Sequence, residues 1–116
     1  MNTFEYHRPT SLADAARALA AGADARLLAG GQSLIASMKL GLSEPSDLVD
    51  LGKIADLKGI RVEGGTVRIG AMTTHAEVAA SAEIRATIPA LAHLAEGIGD
   101  RAVRARGTIG GSLANC

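Results

Sequence analysis

Cysteine is almost missing from this sequence: the only one is Cys116, its last residue. A lone cysteine closes no disulfide within the chain and builds no Cys-rich zinc or iron–sulfur site. Aromatic residues are nearly as scarce, with one Phe, one Tyr and no Trp. A core must therefore come from Ala, Leu, Ile and Val. Excess charge of one sign is missing too, since 12 Lys and Arg face 12 Asp and Glu. That balance leaves no electrostatic footprint for nucleic acid or an anionic membrane. No apolar run is long enough for a membrane span. The opening from Met1 to Pro9 lacks the basic-then-apolar order of a signal peptide. The expected location is the cytoplasm.

Glycine is the residue in surplus, 14 in 116, within a composition that is 47% hydrophobic and 21% charged. Such a mixture folds rather than staying disordered, and its glycines are available for backbone work. His7, His75 and His93 are scattered without metal-ligand spacing, so no metal site is predicted. No Ser–His–Asp order or paired carboxylates stand out, and no catalytic side chain is assigned.

Phe4 and Tyr6 alternate with polar residues and read as a short strand ended by Pro9. Ser11-Leu12-Ala13-Asp14 resembles a capping box, Ala15, Ala16 and Leu19 follow at helical spacing, and Gly22 closes the helix. Arg26-Leu27-Leu28-Ala29 reads as a second strand. A helix starts at Ser33 with Leu34, Ile35 and Met38 and breaks at Gly41. Asp47-Leu48-Val49-Asp50-Leu51 reads as a third strand. The order strand–helix–strand–helix–strand predicts parallel pairing through helical crossovers.

The second half begins differently. Ile60-Arg61-Val62 and Val67-Arg68-Ile69 alternate around Gly64-Gly65, which predicts a hairpin. Thr74-His75-Ala76-Glu77 is a capping box opening a short helix, and it places His75 on the surface. A further helix starts near Pro89 with Leu91, Leu94, Ala95 and Ile98 on one face. The tail turns Gly-rich.

Two loops carry candidate binding chemistry. Ala29-Gly30-Gly31-Gln32-Ser33-Leu34 lies between a strand and a helix start. Adjacent glycines let the backbone turn sharply and approach a ligand closely. The amides of Gly31, Gln32 and Ser33 would then meet an anion such as a pyrophosphate. The alternative is a tight turn capped by Ser33. Neither a P-loop ending nor a G-x-G-x-x-G fingerprint is present. Thr108-Ile109-Gly110-Gly111-Ser112 repeats the double-glycine-plus-hydroxyl chemistry downstream. Two such loops would hold the ends of an extended diphosphate; the alternative is two unrelated turns. Arg101, Arg104 and Arg106 lie just before the second loop, either to balance a phosphate, to pair with a partner's acidic groups, or as a solvated basic segment.

Together, Phe4-x-Tyr6-x-x-Pro9, Ala29 to Leu34, Ile69-Gly70-Ala71-Met72-Thr73-Thr74 and Arg106 to Gly111 resemble the medium, FAD-binding subunit of molybdenum hydroxylases. That is the family of aerobic carbon monoxide dehydrogenase and bacterial xanthine dehydrogenase. The resemblance runs through essentially the whole chain, in order. It implies an α+β, p-cresol methylhydroxylase (PCMH)/vanillyl-alcohol-oxidase-type FAD-binding domain of two lobes. Residues 1–58 would form the first lobe and 59–116 the start of the second.

By that resemblance, Ala29, Gly30, Gly31, Gln32, Ser33, Leu34, Thr108, Ile109, Gly110, Gly111 and Ser112 face FAD. Molybdopterin and [2Fe-2S] clusters belong to a large and a small partner subunit. Electrons would pass from the clusters through FAD to an acceptor, making the chain a subunit of an oxidoreductase. Where the family usually has Asn, this chain has Ser112, which keeps a hydroxyl and loses an amide contact. Family members also continue well past Cys116. The expectation is an incomplete second lobe with an unpaired strand edge, weak FAD binding by this stretch alone, no activity of its own, and self-association through the edge. Two readings compete: a UDP-N-acetylenolpyruvoylglucosamine reductase-like flavoprotein, and a non-catalytic binding module whose glycines only make turns.

Overall fold

The computed structural model describes residues 3–115, so Met1, Asn2 and the lone Cys116 lie outside the described residues. The chain divides into two compact units, Met1–Asp56 and Leu57–Cys116.

The first unit is built from β1 (Glu5–His7), α1 (Leu12–Ala21), β2 (Ala25–Leu28), α2 (Leu34–Lys39) and β3 (Asp47–Asp50). Its strands are all parallel, in the order β1-β3-β2. The pairing is the one expected from the alternation of strands and helices. β3, last of the three in sequence, is central in space, with Leu48 opposite Tyr6 on one side and Arg26 on the other. Successive strand residues face opposite sides of a sheet, and Leu48 and Val49 are both buried. Both faces of the central strand are thus covered, whereas Tyr6 and Leu27 on the edge strands are exposed.

Polar ties fix the edges to the centre. The Asp47 carboxylate meets His7 Nε2 at 2.7 Å and accepts from the Ser46 hydroxyl at 2.7 Å. The bond to His7, then that to Ser46, holds the Asp47 carboxyl below its ordinary range. The Tyr6 hydroxyl donates to Asp50, and that bond raises its own pKa. At the start of α1, Ser11 Oγ accepts from the Asp14 amide at 3.2 Å, a single-sided cap. Gly22 ends α1 where a Cβ would lie 2.8 Å from both Ala25 Cβ and Asp47 Oδ1. The requirement there is room, since its φ of −79° is open to any residue.

The second unit opens with the antiparallel pair β4 (Ile60–Glu63) and β5 (Thr66–Ile69). Gly64 and Gly65 turn the hairpin with φ of +53° and +82°. Positive φ at both central residues is what a type I′ turn demands. Helices α3 (His75–Ala80), α4 (Ala82–Thr87), α5 (Pro89–Glu96), α6 (Arg101–Arg106) and α7 (Ile109–Asn115) follow. The Thr74–Glu77 capping box forms completely, and Pro89 takes the first turn of α5. Val78, Ala79, Ile84, Ala92 and Ala95 make the core, with Ile60, Val67, Ile69 and Leu91 packed against it.

Leu94 does not face the core; it is exposed, and Ala92 joins Ala95 on the inner side of α5. α4 is a separate helix, started by Ser81 Oγ accepting from the Ile84 amide. The Gly-rich tail is mostly helical. No helix among the described residues is long and apolar enough to cross a membrane.

Candidate functional site

The Ala29–Leu34 segment leaves the C-terminal end of β2 and enters α2, as its sequence suggests. Gly31 takes φ of +79°, and a Cβ there would lie 3.1 Å from Ile35 Cγ1. The left-handed φ favours glycine at this position, and a Cβ would press against Ile35. The Gly31 carbonyl accepts from the Ile35 amide at 3.3 Å and the Ser33 carbonyl from the Ser37 amide at 3.0 Å. Among the described residues, the N–H groups of Gly30, Gly31, Gln32, Ser33 and Leu34 donate no hydrogen bond within the protein. Gln32 and Ser33 are exposed. The turn therefore presents a short row of backbone donors beside an exposed amide side chain and a hydroxyl.

Two details differ from expectation. Ser33 occupies the cap position, but its side chain makes no cap hydrogen bond, because its backbone is already helical at φ −109° and ψ −47°. α2 has 6 residues, little more than one turn and a half at 3.6 residues each. Its summed dipole is correspondingly small. Any affinity for an anion at this turn rests on the individual N–H donors.

Thr108–Ser112 was expected as a second loop of free amides, and the structure corrects that. Ile109 to Ser112 are the first residues of α7. The Ile109 amide donates to Thr73 O at 3.0 Å and the Gly110 amide to Ala71 O at 2.9 Å. The Gly111 amide donates to Thr108 Oγ1 at 3.0 Å and the Ser112 amide to Thr108 O at 3.1 Å. All these donors are taken up inside the second unit. Thr108 is buried and forms a bridge with Thr74. Gly110 has a packing reason of its own: a Cβ would lie 2.7 Å from Ala71 Cβ and Ala71 O. What this segment turns outward is the exposed Ser112.

The structure places His75 where the sequence did not. It is buried, 5% exposed, and its Nε2 lies 2.9 Å from Ser112 Oγ. Its amide donates to Gly107 O at 3.0 Å. Burial lowers its pKa from the usual 6.5. A capping box puts its second residue on a helix, but the return of Gly107–Ser112 from far along the chain brings that segment against it. No local pattern carried this signal. Of the arginines, Arg104 donates to Ile98 O and Gly99 O at 3.2 and 3.1 Å, so it closes the turn before α6. Arg101 and Arg106 are exposed.

A family profile described as the FAD binding domain in molybdopterin dehydrogenase matches residues 2–116. The carbon monoxide dehydrogenase medium chain of Hydrogenophaga pseudoflava is 49% identical over 97% of this chain and 39% of its own length. The medium chain of the same name from Afipia carboxidovorans is 50% identical over 97% of this chain and 40% of its own. A solved structure of the carbon monoxide dehydrogenase from Hydrogenophaga pseudoflava, which lacks the Mo-pyranopterin moiety of the molybdenum cofactor, superposes with a TM-score of 0.95. It has 48% identity over 97% of this chain and 40% of that one. The chain thus spans about two fifths of the length of these relatives.

Proposed function

The chain belongs to the family of FAD-binding domains in molybdopterin dehydrogenases, and we propose from that premise that Ala29–Leu34 holds the diphosphate of FAD. The match of fold and sequence to carbon monoxide dehydrogenase medium chains through nearly all of this chain carries the reading. The geometry of the first turn supports it: Gly31 in a left-handed conformation, and consecutive N–H groups with no acceptor inside the protein. Hydrogen bonds to a charged acceptor contribute about 1.5–3 kcal/mol each, so a few of these donors suffice for a diphosphate. Ser112, in this reading, also offers FAD a hydroxyl. In this reading residues 1–58 and 59–116 are the lobes of an FAD-binding domain.

The protein of which this sequence forms the FAD-binding part works, in this reading, as the medium subunit of a cytoplasmic molybdenum hydroxylase. A large subunit carries molybdopterin and a small one [2Fe-2S] clusters. Bound FAD supplies the capacity to take electrons singly and release them singly or in pairs, linking the clusters to an acceptor. The chain's own residues contribute binding, orientation and packing.

The test is co-expression of the complete medium subunit with candidate large and small subunits, followed by flavin, iron and molybdenum analysis of the purified complex. All three should copurify, and Gly31→Val should strip flavin while leaving iron and molybdenum in place. Flavin content untouched by Gly31→Val would remove the first turn from the site. A medium subunit without flavin would overturn the function.

A further inference from the structure

We propose that His75 is a positioning residue for the FAD-binding site, clamping the segment from Gly107 to Ser112 and setting the direction in which Ser112 presents its hydroxyl. The inference rests on the FAD reading above and extends it to a residue outside both glycine motifs.

The clamp works at both ends of the segment. At the near end the His75 amide donates to Gly107 O at 3.0 Å. A Cβ at Gly107 would lie 3.1 Å from His75 Cδ2, so the backbone there lies close against the edge of the ring. At the far end His75 Nε2 meets Ser112 Oγ at 2.9 Å. Between them, the Ile109 and Gly110 amides are tied to Thr73 O and Ala71 O, the residues just before His75. One buried side chain thus reaches the exposed end of a segment whose start its own backbone anchors.

Ser112 is exposed as a residue, while its Oγ lies against the buried ring. Two orientations are open to a serine at the fourth position of a helix: turned back to the carbonyl one turn earlier, or held by another partner. Here the partner is the imidazole, so Ser112 Oγ stays at the boundary between the buried ring and solvent. A hydroxyl held that way keeps donor or acceptor capacity for an external ligand. The burial that lowers the His75 pKa keeps the ring neutral near pH 7, consistent with a ring that holds one hydroxyl and no counter-charge.

The experiment uses the complete medium subunit of which this sequence forms the FAD-binding part, with two readouts. Amide hydrogen exchange is compared in the wild type, His75→Gln and His75→Leu. The Ile109 and Gly110 amides should exchange about three- to tenfold faster in His75→Leu, with the Ile88 and Leu91 amides unchanged. His75→Gln, which retains a side-chain donor and folds more readily if Leu is not tolerated, should lie between. Unchanged exchange at Ile109 and Gly110 in both variants overturns the clamp whether or not FAD binds. FAD titration followed by flavin fluorescence then uses His75→Gln, Ser112→Ala and the double variant. The His75 substitution should weaken FAD about three- to tenfold with Ser112 present and have no effect in the S112A background. Equal weakening in both backgrounds overturns the role through Ser112. Faster exchange with no FAD binding by any form would instead overturn the FAD reading and leave the clamp standing.

Discussion

A methyl group added at Gly70 would sit 2.3 Å from Leu57 O and 2.6 Å from Leu57 C. Those are backbone atoms, and Leu57 O already accepts from the Met72 amide at 2.8 Å. Neither can step aside without breaking the turn that carries the chain into α3. Gly70→Ala should therefore lower stability by about 2–3 kcal/mol, read as a shifted urea midpoint at constant slope. Gly97 is the matched control, since its nearest neighbour would be Leu94 O at 3.6 Å. Gly97→Ala should stay within about 0.5 kcal/mol of wild type. His75 makes a second prediction at this scale. Its folded pKa is lowered from 6.5 by burial. Below that pH the unfolded chain takes up a proton that the folded chain refuses, so stability falls as pH drops from 6.5 toward the folded value. Thermal midpoints should decline between about pH 7.5 and about pH 5.5, and His75→Gln should flatten that decline. An unchanged slope in the variant would show that other groups set it.

Elements differ in how far their own residues determine them. The β4–β5 hairpin was legible because alternation and Gly64-Gly65 are local and agree. The α3 start was legible for the same reason: Thr74 Oγ1 accepts from the Glu77 amide at 3.2 Å while Glu77 Oε1 accepts from the Thr74 amide at 3.2 Å. Thr74→Ala should cost about 1 kcal/mol and Thr74→Ser much less, as measured by chemical denaturation. If both cost the same, the methyl group rather than the cap matters. α7 was not legible. Gly110 and Gly111 carry low helix propensity, which reads as a loop, yet the ties of Ile109 to Thr73 and Gly110 to Ala71 wind them into a helix. The glycine at 110 is needed because Ala71 leaves no room for a Cβ. Leu94 failed differently. Helical spacing grouped it with Leu91, but the inner side of α5 is narrow and filled by alanines.

At the scale of the whole molecule, the resemblance found in the sequence and the fold agree, and the family follows from both. Parallel pairing in the first unit and the hairpin opening the second were readable from periodicity. The two glycine motifs, alike in sequence, differ in the structure. The first turn keeps its amides free of internal partners, whereas the second glycine motif uses its own for the fold. That asymmetry makes the two units unequal in what FAD should change. With FAD at about a hundred times its dissociation constant, a ligand bound only by the folded state adds about 2.7 kcal/mol of stability. Direct contacts should add local protection on top of that. Hydrogen exchange read with and without FAD should therefore show the largest slowing at the Gly30–Leu34 amides. Ile109–Ser112, protected already by Thr73, Ala71 and Thr108, should gain no more than the core amides of α3 to α5 do. If the second segment gained as much as the first, its internal hydrogen bonds would have to open in favour of the ligand. The described arrangement would then be the resting form of that segment rather than its binding form.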